Sequence, residues 1–297
     1  MYSLREDHHR IPLRMQYPCV NLFRLRFVRC NIQLLFQDIF HQKSAKLQFF
    51  QLLQMVDSPH KQVDLPVFAH LQFLPLFLQK IVAISCVIRR TTKEGAPQIK
   101  VGTLGTPQDD EKVLIQAFFD LIEKYTPQLV SWNGSGFDLP VLHYRALANH
   151  IQAPRYWEMG ESQDSDSREF KWNNYISRYH MRHLDMMDLL AKFNGRANAP
   201  LDGLAKLCGF PGKMGMDGSQ VWPAYQDGKI DEIRRYCETD VVNTYLMYCR
   251  FQLLRGGFTL EEYQEEIAFV KAYLEKEAKE PNGGQWQEYL QGFSTDA

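Results

Sequence analysis

No Cys-x-x-Cys pair occurs in this chain. Its six cysteines stand singly at positions 19, 30, 86, 208, 237 and 249. That spacing argues against a zinc cluster or a disulfide framework, so a reducing cytoplasm is the simplest expected compartment. Bulk charge is also missing: the net charge is −1. A nucleic-acid partner would therefore have to be met by a local basic groove. No apolar run is long enough to span a bilayer. The longest, Phe73 to Ile88, is interrupted by Gln79-Lys80, so no membrane partner is expected. Residues Met1 to Arg14 mix Asp, Glu, His and Arg without an apolar centre, and no signal peptide is expected from them. There is no internal repeat, and Gly134 and Gly136 do not fit a Walker or dinucleotide-binding loop.

What is present is a globular composition, 45% hydrophobic and 23% charged over 297 residues. The first 45 residues differ from the rest, with six Arg but no Lys before Lys43, many Phe and Leu, and no regular period. From Lys80 the text reads as an α/β domain. Strands are expected at Lys80 to Arg89 and Gln98 to Thr103, joined by a turn around Gly95-Ala96-Pro97, and again at Gln128 to Trp132. Asp109 to Tyr125 has helical spacing and acids in its first turn. A second helix follows Asp138, with Pro140 in its first turn. Glu158 to Glu169 reads as a polar loop. Further helices are expected at Asp185 to Phe193, Leu201 to Leu207, Ser219 to Tyr225, and Ile230 to Leu254, the last stopped by Gly256-Gly257. Thr259 and Glu262 form a capping box opening one more, to about Lys279. This order suggests a mixed sheet flanked by helices, with a helical C-terminal part.

Two short segments carry chemistry. Ser131-Trp132-Asn133-Gly134-Ser135-Gly136-Phe137-Asp138 reads as strand end, glycine turn, and an Asp at a helix start. A carboxylate at such a corner is well placed to hold a hard metal ion. Asp138 is equally well placed merely to cap the helix, and Asn133 to serve the turn. In Tyr236-Cys237-Glu238-Thr239-Asp240, positions 236 and 240 share a helix face. Asp240 there could ligate a metal while Tyr236 orients an attacking water. By itself that spacing fits a core Tyr and a solvated Asp just as well. Asp185 and Asp188, three apart, read as structural or solvated, with one able to support the site from behind. Arg145, Lys171, Arg178, Arg182, Lys213, Arg234 and Arg235 form a set from which a phosphate-facing surface could be drawn.

Taken in order with this scaffold, the segments resemble the DNA-polymerase-B-like 3′-5′ exonucleases, in the proofreading branch of the ribonuclease-H-like superfamily. The resemblance runs from about Phe73 to about Leu290. It includes Arg168 to Tyr175, Arg178-Tyr179-His180, His183 to Asp188, Asn198 to Leu201, and Gly209 to Lys213. It implies a ribonuclease-H-like α/β fold and removal of nucleotides from the 3′ end of single-stranded DNA or RNA. It further implies two Mg²⁺ or Mn²⁺ ions held by four carboxylates, Asp138 and Asp240 among them. Tyr236 would position the water. Trp132, Asn133 and Phe137 would line the mouth of the site, aromatics stacking on bases.

The chain departs from that pattern on the first strand, where the resemblance implies an Asp-x-Glu. None occurs in residues 1–80. Asp38 follows an apolar run but is a weak metal candidate, because Phe40 stands where the second acid belongs. Residues 1–70 are thus expected to be an atypical segment poorly matched to the family, disorder being one outcome the composition allows. Residues 71–297 form the exonuclease-like domain. A segment translated out of frame would have this composition. Resequencing the locus tests that, and an intact text with no Asp-x-Glu strand in any frame would refute it. Loss of two of four acids implies an alternative function, a catalytically impaired protein that binds nucleic acid or a protein partner.

Overall fold

The computed structural model describes residues 20–28, 76–92, 94–161, 165–216, 218 and 220–294. Asp38 lies outside them. Five strands form one sheet: β1 (Val20–Val28), β2 (Lys80–Thr91), β3 (Pro97–Thr103), β4 (Gln128–Ser131) and β5 (His183–Asp185), in the order β3-β2-β1-β4-β5. The β3, β2 and β1 strands pair antiparallel, whereas β1, β4 and β5 run parallel. The segment boundary expected near residue 70 therefore falls between the central strand and the rest of the sheet.

Residues 81–87 of β2 are all buried, which requires cover on both faces. Side chains alternate accordingly. Ile84 and Cys86 join Leu129 beneath α1 (Glu111–Tyr125) and α2 (Leu139–Ala148). Val87 and Val130 join the opposite cluster, built on α6 (Ile230–Leu254) and α7 (Leu260–Glu277). Between these lie α3 (Met186–Leu190), α4 (Leu201–Leu207) and α5 (Val221–Gln226), and α8 (Gly284–Gln291) closes the chain against α6 and α7.

Local chemistry explains the element ends. The Asp110 side chain caps α1 by accepting from Val113 N, and the Thr259–Glu262 capping box opens α7. Gly95, with φ of 87°, makes the β2–β3 turn. Three expectations are corrected. Asp185 ends a strand and caps α3, so the expected helix over 185–193 is split between β5 and a shorter helix. Ser165–Arg168 and Glu169–Lys171 form helical turns within the expected loop. Finally, a further helix, α8, follows the one expected to run to about Lys279, which ends at Glu277. Four cysteines among the described residues, Cys86, Cys208, Cys237 and Cys249, are free thiols. No helix among the described residues is long and apolar enough to cross a membrane.

Candidate functional site

β4 ends at Ser131, and the chain then turns through Asn133 in the left-handed region, with φ of 62°. Asn tolerates that conformation better than most side chains. Gly134–Asp138 follows as a single π turn, with Leu139 N donating to Gly134 O. Neither glycine could carry a side chain without movement, since a Cβ on Gly134 would strike Ser131 Oγ and one on Gly136 would strike Asn133 Oδ1. The turn is held from behind. Asp185 Oδ1 accepts from Asn133 N at 2.9 Å and Oδ2 from Ser135 N at 2.8 Å. The same carboxylate accepts from Met187 N and Asp188 N at the start of α3. Ser131 Oγ also meets His183 Nε2 at 2.9 Å. Burial pushes the His183 imidazole down to about 4, so the ring is neutral.

Asp138 closes this π turn and is buried. Its backbone is already helical and its side chain makes no capping bond to α2, so it is not there simply as an N-cap. Tyr236 and Asp240 lie on the buried side of α6, one turn apart. Tyr236 packs with Val82, Ala83 and Ile233. Between them in sequence, Glu238 accepts from Thr103 Oγ1 at 2.8 Å and from Gln285 Nε2 at 3.3 Å. Its carboxyl is pushed above the usual range by burial. β1 lies against both the π turn and α6.

The expected mouth residues separate. Asn133 and Phe137 are half-buried on the turn, Phe137 packing toward the α1–α2 cluster. Trp132 is only 4% exposed and its indole N–H donates to Ala199 O at 3.2 Å. Its ring is committed to core packing, so stacking on a base would fall to other aromatics. Several cations of the expected phosphate surface are also engaged in structure. Arg145 pairs with Glu111 at 2.6 Å, Arg178 with Asp188 at 2.6 Å, and Arg182 with Glu169 at 2.7 Å. Arg234 donates to the carbonyls of Thr103, Leu104 and Gly105.

Metal-ligand chemistry fits this site incompletely. Asp138 and Asp240 are suitable hard donors. Among the described residues, however, no group of three or more His, Cys, Asp or Glu is placed to hold an ion. The β1 sequence contains no acid. It has Arg24 and Arg26 at register positions opposite Ser85 and Ala83 of β2. A two-metal centre is therefore not made up by the described residues.

The residues that sequence reading undervalued are Asp185 and His183. The sequence signals were the place of His183 to Asp188 in the family resemblance and the Asp185–Asp188 spacing, which suggested support from behind the site. Which backbone N–H groups Asp185 would hold depends on β4 and β5 lying side by side.

Residues 71–293 match the family described as predicted 3′-5′ exonucleases related to the exonuclease domain of PolB. No curated protein matches the chain.

Proposed function

The chain belongs to the predicted 3′-5′ exonucleases related to the exonuclease domain of PolB, and from that premise we propose that it acts at the 3′ ends of single-stranded DNA or RNA. Sheet order β3-β2-β1-β4-β5, with the β3–β2 and β2–β1 pairings antiparallel and the β1–β4 and β4–β5 pairings parallel, supports a ribonuclease-H-like reading of the fold. The observation that carries the functional reading is the family match, which spans both buried carboxylates, Asp138 and Asp240, and the tyrosine one turn from the second. In this reading Asp138 and Asp240 contribute negative charge to the reacting end of the cleft. Tyr236 orients the water that attacks the terminal phosphodiester. Asn133 and Phe137 border the terminal nucleotide, and Trp132 supports them from the core. Mg²⁺ or Mn²⁺ is the cofactor class that the family resemblance implies.

A second reading is favoured by one specific observation, the acid-free β1 with Arg24 and Arg26 in the central strand. In that reading the protein keeps the single-strand site and has impaired hydrolysis. One assay on 3′-labelled single strands with Mn²⁺ separates the two. If the first holds, the wild type shortens the strands from the labelled end and Asp240→Ala is slower by at least a hundredfold. Equal activity in both proteins would reject the role of Asp240. No activity in either would establish the impaired reading.

A further inference from the structure

Next to the π turn lies a cavity of about 220 Å³, whose lining includes Ser135, Arg178, Tyr179, His180, Asp188 and Phe193. Of these, Tyr179, His180 and Phe193 have been given no role above. We propose that this cavity receives a base of single-stranded nucleic acid upstream of the 3′ terminus, with Tyr179 at its wall and Trp172, which lies outside its lining, as stacking platforms. The proposal rests on the single-strand reading of the site and names where the rest of that strand runs.

Four observations carry it. The first is exposure: Tyr179 is 72% exposed and Trp172 75%, far more than core packing would leave of such rings. The second is the charge beside each ring. Lys171 Nζ lies 5.4 Å from the Trp172 ring centre. The Arg178 guanidinium lies 5.0 Å from the Phe193 ring centre, and Phe193 in turn meets Tyr179 edge-to-face at 5.1 Å. Arg178 is held by two N–H groups on Asp188, which fixes its position over the ring. Because Arg178 is taken up by Asp188, Lys171 is the cation here that would meet a phosphate, with bases on the aromatic faces.

The third observation is the end of α3. Lys192 and Phe193 are consecutive residues in the left-handed region, with φ of 53° and 61°. Each costs about 1 kcal/mol for a residue with a side chain. The pair is kept there by bonds from Lys192 N to Leu189 O and from Phe193 N to Asp188 O. These are the two bonds of a Schellman cap ending α3, and they place Phe193 in the cavity wall. The fourth is continuity. Ser135, on the turn that leads to Asp138, lines the cavity together with His183 and Asp185.

Binding of fluorescent oligothymidylate, measured by anisotropy in EDTA, tests this without any hydrolysis. Tyr179→Ala and Trp172→Ala are each expected to weaken binding about tenfold, within the range for losing one base–aromatic stack. Tyr179→Phe should restore wild-type affinity and Tyr179→Leu should not, a pattern that loss of surface apolar area alone would not produce. Wild-type affinity in both alanine variants would overturn the proposal while leaving the exonuclease reading intact. Failure of the unaltered protein to bind any single strand would overturn both. An equal loss of affinity for blunt duplex would also overturn the proposal, because paired bases cannot stack on these rings.

Discussion

Asp185 shows how one carboxylate can hold a turn together through backbone N–H groups alone. Its two oxygens accept from four backbone N–H groups, two on the turn that leads to Asp138 and two at the start of α3. Removing the carboxylate would leave these donors without their acceptor in a buried place, so Asp185→Ala is expected to cost about 3 kcal/mol in urea unfolding. Asp185→Asn keeps one acceptor oxygen and should cost distinctly less. Equal stability of Asp185→Ala and wild type would show that the turn holds itself. Sequence showed the residue types at this corner clearly. It did not separate a capping Asp138 from a site Asp138, because both need an Asp at a helix start. In the structure that side chain makes no capping bond to the α2 N-terminus.

At the scale of elements, long periodic segments were legible and short ones were not. The 25 residues of α6 and the capping box of α7 carry their signals locally. β5 has three residues, and no period can be read from three. β1 was missed for another reason. Its sequence, VNLFRLRFV, alternates Arg with apolar residues inside a segment of odd composition, and only pairing partners make it a strand. Because β1 lies between β2 and β4, a chain beginning at residue 71 would leave two strand edges unpaired in the middle of the sheet. That shortened chain is expected to aggregate or to lose its cooperative thermal transition. A sharp transition at the wild-type Tm would show that the remaining strands close the sheet without β1.

For the whole molecule, two buried imidazoles set a pH limit. His143 is held down to about 4 by burial beside Tyr156, and His183 to about 4 by burial against Ser131. Both are neutral when folded and free to protonate at an ordinary histidine value when unfolded. The unfolded chain thus binds more protons between about 6.5 and 4, and stability falls as pH drops through that window. Urea midpoints are expected to be level from pH 8 to 7 and to decline below about 6.5. His143→Asn should make the decline shallower. A flat profile down to pH 5 would show that the two rings protonate within the fold.

The amino-acid sequence by itself determined the helices with a regular apolar stripe, the β2–β3 hairpin, the family, and the two segments that carry Asp138 and Asp240. Each of these depends on residues close in the chain or on a pattern of residue types. Only the tertiary structure decided that Asp185 holds the turn, that Trp132 is spent on packing, and that Tyr179 and Phe193 share a cavity wall with Ser135. The physical reason is distance along the chain: Ser131 and His183 are 52 residues apart, and which groups then meet is set by parallel pairing of β4 with β5.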